Sequence, residues 1–158
     1  MIIAPHTSWK DIVVGLAARS VLRITHIKFL GKKELFEGPF GWFFRRIGGI
    51  PVDRSGRHGV VEQVVEIFMK KTEFAVALSP EGTRKKVDHL RTGFYHIAKK
   101  AGVPLVMVAL DFANKQLIFA EPFLTSDDEQ KDFNHILAFF APVKGRHPEK
   151  GLQDAKFK

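Results

Sequence analysis

The stretch that decides the architecture is Phe74-Ala75-Val76-Ala77-Leu78-Ser79-Pro80-Glu81-Gly82-Thr83-Arg84. Its first five residues are continuously apolar and stop at Ser79-Pro80, the pattern of a short strand buried on both faces. A polar loop with an acid, a glycine and a cation follows directly. Loops leaving the carboxyl ends of strands are where open α/β sheets bind ligands. Gly82 permits close approach of a backbone, and Arg84 offers a planar fork suited to phosphate oxygens. Lys85 and Lys86 strengthen the same positive field. Read alone, the loop is also compatible with a plain turn carrying solvated charges.

Amphipathic and apolar segments alternate on either side of this strand. Val60 to Lys71 repeats apolar residues (Val61, Val64, Val65, Phe68) at helical spacing. Gly93 to Lys100 reads as a helix with Gly102 as its stop signal, and Val103 to Leu110 as a second buried strand. Asn114-Lys115 then marks a hairpin leading to Leu117 to Ala120. Asp127 to Phe140 is a last helix, with acids in its first turn where the helix dipole favours them. Toward the N-terminus, Met1 to Pro5 reads as a short strand. Trp9 to Leu22 reads as a helix with Ile12, Val13, Leu16 and Ala17 on one face. Thr25 to Leu30 and Ile50 to Val52 are brief strands around an aromatic, helical region, Lys33 to Ile47. The tail from Pro142 is polar and irregular. The expected fold is α/β, a single domain over residues 1–158 with a central mixed β-sheet flanked by helices and a site at the strand ends.

Composition bounds the chemistry. The 158 residues contain no cysteine, which excludes disulfides, thiol chemistry and cysteine-ligated metal centres. The longest run of apolar and small residues, Ala101 to Leu110, is about half of what a transmembrane helix needs. Net charge is +8, and it is unevenly placed. Residues 1–100 carry 18 basic and 9 acidic side chains, whereas residues 101–158 carry 7 and 8. The segment holding the motifs is therefore the positive one, and its partners should bear phosphate: an anionic membrane, a phosphorylated small molecule or a nucleic acid.

Three further blocks carry chemistry. His6-Thr7-Ser8-Trp9-Lys10-Asp11 spaces a histidine and an aspartate five apart. Five residues turn a helix about 500°, so the pair cannot share a helix face. The spacing works if His6 lies in the loop after the first strand and Asp11 in the first turn of the next helix, with Thr7 or Ser8 as N-cap. Asp11 could then accept from one imidazole nitrogen and leave the other free to remove a proton. Gly48-Gly49-Ile50-Pro51-Val52-Asp53-Arg54 places a glycine pair and a short strand before another arginine. Leu35, Phe36, Phe40, Trp42, Phe43 and Phe44, flanked by Lys32, Lys33, Arg45 and Arg46, exceed one helical stripe. Core packing accounts for some of these, and the remainder should line an apolar groove or face lipid. Each block alone also reads as ordinary polar loop or core. There is no Walker loop, dinucleotide fingerprint or Gly-x-Ser-x-Gly elbow, and the other histidines form no metal-ligand pair.

In this order the blocks resemble the lysophosphatidic acid acyltransferase family of glycerolipid acyltransferases. His6 and Asp11 match the family's His-x4-Asp block, with Thr-Ser after the histidine. Gly48, Ile50, Val52 and Arg54 match its Gly-x-Ile-x-Val-x-Arg block, and Pro80 to Arg84 match Pro-Glu-Gly-Thr-Arg completely. Val103-Pro104 matches the fourth block, although Met107 stands where a second proline is common. The resemblance spans about His6 to Glu121 and implies a glycerol-3-phosphate acyltransferase-like fold.

It further implies that His6 is the general base, oriented by Asp11, in direct acyl transfer from acyl-CoA or acyl carrier protein to a hydroxyl of a lysophospholipid. No cofactor or metal is then needed. Arg54, Glu81, Gly82, Thr83 and Arg84 would form the acceptor's phosphate site, and Phe40, Trp42 and Phe43 would face an acyl groove or the membrane. The expected location is peripheral, on the cytoplasmic face of the cell membrane, attached through anionic lipid. Members of the family commonly carry a membrane-associating segment before the histidine, and this sequence is expected to lack it. A non-catalytic anionic-lipid or membrane-surface binding protein is the alternative. Nucleic acid is not expected as a partner, because the basic pairs are scattered over loops.

Overall fold

The computed structural model describes residues 1–53, 59–83, 86–152 and 155. Six strands form one sheet in the order β3-β2-β4-β1-β5-β6. They are β1 (Ile2–Ile3), β2 (Ile27–Lys32), β3 (Gly49–Val52), β4 (Ala75–Leu78), β5 (Val106–Asp111) and β6 (Gln116–Phe119). The first five run parallel, and β6 turns back antiparallel to β5, so the sheet is mixed as expected. The hairpin falls at the expected Asn114-Lys115. Asp111 closes it by accepting from the N–H groups of Ala113 and Asn114 and from the Asn114 side chain, and Lys115 takes the left-handed conformation.

Helices α4 (Val60–Lys70), α5 (Gly93–Ala101) and α6 (Glu129–Phe140) follow the apolar periodicity, and α1 (Trp9–Val21) forms over the expected segment. The aromatic region expected to be helical over Lys33 to Ile47 splits at Gly38-Pro39-Phe40 into two short helices, α2 (Glu34–Glu37) and α3 (Gly41–Arg46). The core gathers Ile3, Val52, Val64, Val76, Phe94, Ile97, Leu105, Met107, Phe133 and Ile136. Tyr95 and Phe94 of α5 pack on Phe133 of α6, joining two helices that β5 and the hairpin separate in the chain.

One sequence expectation fails. Ile12 and Val13 of α1 are half exposed instead of facing the core, and Asp11 is the helix's one buried residue. The helix is apolar nearly all round (Ile12, Val13, Val14, Leu16, Ala17, Ala18, Val21), so its sequence does not single out an inward stripe. Its anchorage is polar instead: Arg19 donates to the carbonyl of Ile47 beside the turn at Gly48. The tail from Pro142 is mostly irregular, as expected, yet it packs back on the sheet. Leu152 is buried, the Phe112 N–H donates to the Lys144 carbonyl, and a single 3-10 turn forms at Pro148–Lys150.

Candidate active site

The site forms because β1 and β4 are adjacent and parallel. Ile3 lies in register with Leu78, and the Ala4 N–H extends the ladder to the Leu78 carbonyl. Beyond that bond the two chains leave the sheet side by side. One carries Pro5-His6-Thr7-Ser8 into α1, and the other carries Ser79-Pro80-Glu81-Gly82. Residues 75 positions apart in sequence are thereby brought into contact: the His6 main-chain N–H donates to Glu81 Oε1 at 3.2 Å. Glu81 Oε2 lies 3.7 Å from His6 Nδ1.

Glu81 is 1% exposed, and a buried carboxylate is costly unless its oxygens are engaged. Here Oε2 also accepts from the Ser79 hydroxyl, so both oxygens have partners. The loop that carries Glu81 is a tight turn, with the Gly82 N–H donating to the Ser79 carbonyl at 3.2 Å. Gly82 closes it in the left-handed region, φ +63°, which favours glycine.

Asp11 does a different job from the one expected. No hydrogen bond joins its carboxylate to the imidazole. Asp11 Oδ2 accepts instead from the N–H groups of Thr7 at 2.6 Å and Ser8 at 2.8 Å. Ser8 is the N-cap of α1, its hydroxyl accepts from Lys10 N–H, and with Asp11 it completes a capping box. A carboxylate at the third position of a helix is held there by the orphan N–H groups and the helix dipole, and that local demand outcompetes the ring. Asp11 therefore fixes the backbone of the loop that carries His6.

Two side-chain atoms among the described residues are buried without a hydrogen-bond partner, His6 Nδ1 and Asp11 Oδ1. With Nδ1 turned inward, Nε2 is the ring nitrogen accessible to a ligand. The C-terminal tail braces the loop from another side: the His147 N–H donates to Thr7 Oγ1 at 3.1 Å, and Gly145 sits against the Thr7 side chain. Neither Glu81's hold on His6 nor this tail contact was visible in the sequence. A buried acid in a loop after a strand is the signal that could have suggested the first.

The other expected site residues are distributed as follows. Gly82 is exposed and Thr83 half-buried beside Glu81. Arg54 and Arg84 lie outside the described residues. Phe40 and Trp42 are about two-thirds exposed, at 67% and 66%, and Phe43 is 44% exposed, all on or beside α3. Phe36 is the aromatic of that cluster that enters the core. The glycine pair is steric in origin. A Cβ on Gly49 would meet the Phe36 ring and the Phe44 carbonyl at 2.8 Å, and Gly48 has φ +95° with Arg19 packed against it. Among the described residues, no three His, Asp or Glu side chains converge to hold a metal ion, and no helix is long and apolar enough to cross a membrane.

An α/β protein with a largely parallel sheet, and with a histidine and a buried carboxylate at adjoining strand ends, belongs to the class that binds its ligands beyond the carboxyl edge of the sheet. Comparison with known proteins narrows that class. Residues 1–111 match the Acyltransferase family model, and the chain belongs to that family. It is 35% identical over 95 residues to a 1-acyl-sn-glycerol-3-phosphate acyltransferase of Escherichia coli, covering 56% of this chain and 38% of that protein. A protein of the same name from Streptococcus pneumoniae is 31% identical over 109 residues, 68% of this chain and 40% of the relative. One from Salmonella typhimurium is 36% identical over 88 residues, 51% of this chain and 36% of the relative. The aligned part of the chain thus spans about two-fifths of the length of these curated relatives. No solved structure matches the chain.

Proposed function

We propose that this chain carries the chemistry of an O-acyltransferase, moving a fatty acyl group from an acyl thioester to the free hydroxyl of a lysophosphatidate-type acceptor. The observation that carries the reading is the bracing of His6 by Glu81 where β1 and β4 end, in a chain of the Acyltransferase family.

His6 Nε2 removes the acceptor's hydroxyl proton as that oxygen attacks the thioester carbonyl. The tetrahedral adduct collapses with cleavage of the carbon–sulfur bond, and the imidazolium returns its proton to the departing thiolate. No acyl-enzyme forms and no cofactor takes part. The imidazolium faces the Glu81 carboxylate across 3.7 Å, in a buried setting where that charge is weakly screened. Asp11 orients the base through the Thr7 and Ser8 backbone. Arg54 and Arg84 hold the acceptor phosphate, and Gly82 and Thr83 shape the loop that follows Glu81. Acyl-CoA or acyl carrier protein supplies the acyl group.

The protein works at the cytoplasmic face of the cell membrane as a peripheral protein. Support comes from two exposed apolar groups on adjoining elements. Trp9, Ile12, Val13 and Val21 stand on α1, and Phe40, Trp42 and Phe43 on and beside α3, with Lys10, Arg45 and Arg46 among them. Single exposed apolar residues are ordinary, but several on each of two elements linked through Arg19 and Ile47, with cations among them, suit an anionic lipid surface. The same set favours a second reading, anionic-lipid binding without catalysis, which has no use for His6.

Thiol release from acyl-CoA in mixed micelles with lysophosphatidate separates the two. Release that requires the lysolipid and disappears in His6→Ala supports acyl transfer with His6 as base. Lysolipid-dependent release unchanged by His6→Ala removes His6 from that role. Vesicle binding without release from either acyl-CoA or acyl carrier protein supports the second reading.

A further inference from the structure

We infer that Arg91 is a phosphate-recognising residue of the acceptor site, a guanidinium supplied from the turn into α5 that favours phosphorylated acceptors over uncharged ones. The inference deepens the acyl-transfer reading and rests on it for the identity of the acceptor.

Three observations on one loop carry it. First, Arg91 is tied to the loop that holds Glu81: its main-chain N–H donates to the Pro80 carbonyl at 3.0 Å. Second, its side chain lies along Gly82. A Cβ built on Gly82 would stand 2.9 Å from Arg91 Cδ, 3.1 Å from Nε and 3.6 Å from Cζ. The left-handed glycine thus leaves a space that the arginine stem fills, and the stem aligns the guanidinium with the loop surface. Third, the residue is exposed, and its guanidinium has no hydrogen bond or ion pair among the described residues. Glu81, the acid of the same loop, is buried with its oxygens committed to His6 and Ser79.

An exposed arginine held by its stem, with five donors unspent, suits a ligand carrying a dianionic, planar-faced oxygen cluster. Successive contacts run from His6 to Glu81, along the chain to Gly82, and from Gly82 to Arg91. An acceptor whose hydroxyl meets His6 can therefore extend its phosphate along the same loop. Nothing in the sequence pattern distinguishes Arg91 from a solvated helix-flanking cation. Its packing on Gly82 does.

The test compares wild type, Arg91→Ala and Arg91→Lys in two measurements. Calorimetric binding of lysophosphatidate in detergent reads recognition without turnover. Acyl transfer from acyl-CoA reads KM and kcat with lysophosphatidate and with monoacylglycerol. The expected result for Arg91→Ala is lysophosphatidate binding weakened about 10- to 100-fold, the scale of one charge-assisted bidentate contact. The acceptor KM should rise in step while kcat stays within about threefold, and lysine should restore part of the affinity. The preference for lysophosphatidate over monoacylglycerol in kcat/KM should fall by a similar factor.

Unchanged lysophosphatidate binding in Arg91→Ala overturns the proposal, as does equal loss for both acceptors or wild type that does not bind lysophosphatidate. If Arg91→Ala weakens binding but His6→Ala transfers acyl groups at the wild-type rate, the phosphate role stands and the catalytic reading falls. Melting temperatures of the two Arg91 variants, expected to match wild type for an exposed side chain, exclude a general loss of structure.

Discussion

Glu81 holds both the backbone and the ring side of His6: Oε1 receives the histidine's own N–H at 3.2 Å, and Oε2 stands 3.7 Å from Nδ1. One fully buried carboxylate, reached across 75 residues of sequence, thus fixes where the imidazole sits and what charge it faces. Glu81→Ala leaves the His6 N–H and the Ser79 hydroxyl without their acceptor in a partly buried site, at a cost of about 1 kcal/mol for each. Glu81→Gln keeps an acceptor oxygen and removes the charge. The expected outcome is a melting temperature lowered by several degrees for alanine and by less for glutamine, with transfer slowed about 100-fold in both. Thermal denaturation with thiol-release kinetics reads the two effects separately. Full activity in Glu81→Gln shows that the charge is irrelevant to the base.

Asp11 makes the complementary prediction. Its Oδ2 clamps the Thr7 and Ser8 N–H groups, and an asparagine oxygen can receive the same two donors. Asp11→Asn should therefore stay within about 1 kcal/mol of wild-type stability, while Asp11→Ala should lose about 1–2 kcal/mol as a broken helix cap does. If the carboxylate serves by placing the loop, Asp11→Asn keeps most of the transfer rate and Asp11→Ala loses it. Equal loss of transfer in both variants points to a need for the negative charge itself. Urea denaturation beside initial rates decides between the two.

The contrast between these two acids shows what was legible. The β4 strand with its Ser79-Pro80 stop, the Ser8 cap of α1, the stop at Gly102 (φ +63°) and the Asn114-Lys115 hairpin all rest on local chemistry, and all were readable from neighbouring residues. Glu81's grip on His6 rests on β1 lying beside β4, a long-range pairing that no spacing rule contains. Asp11's target is not legible from spacing, because the Thr7 and Ser8 N–H groups closer to hand outcompete a histidine five residues away. The Gly48-Gly49 pair stands before a strand and an arginine in sequence, and what requires it is long-range: Phe36 and Arg19 occupy the space a side chain would need. The outward face of α1 is illegible for a compositional reason: a helix apolar nearly all round gives its period little direction.

That outward face leads to a prediction about lipid. Phe40 and Trp42 together expose most of two aromatic side chains, and burying a large apolar side chain is worth about 1.5–3 kcal/mol. Replacing both by alanine should reduce partition onto phosphatidylglycerol-rich vesicles at least about tenfold. Val13→Glu on α1 should reduce it further by bringing a charge into the interface. Raising salt should weaken wild-type binding, because Arg45 and Arg46 contribute through a screened surface attraction. Vesicle co-sedimentation measures all three, and partition indifferent to the aromatic pair sinks the proposed membrane face.

The last prediction concerns stability at high pH and comes from the packing of α5 on α6. Tyr95 is fully buried, and its hydroxyl donates to Asp132 Oδ2 at 2.9 Å. Burial first, and then the hydrogen bond to Asp132 and the negative charges of Asp132, Glu129 and Asp127, push the phenol well above its usual value near 10. In the unfolded chain Tyr95 ionises at the usual value, so above pH 10 the unfolded state binds fewer protons than the folded one. Stability is therefore fully present below pH 10 and declines as pH rises toward the folded phenol's own titration. Tyr95→Phe removes that dependence. It also removes one donor to Asp132, which keeps the Ser126 N–H at 2.6 Å and the Ser126 hydroxyl at 3.0 Å, so the loss at neutral pH should be about 1–2 kcal/mol. Denaturation curves taken between pH 8 and pH 11 should show wild type losing stability faster than Tyr95→Phe above pH 10, with the gap between them narrowing. Parallel decline of the two proteins means that other groups govern alkaline unfolding and that the Tyr95–Asp132 bond is not what couples the fold to pH there.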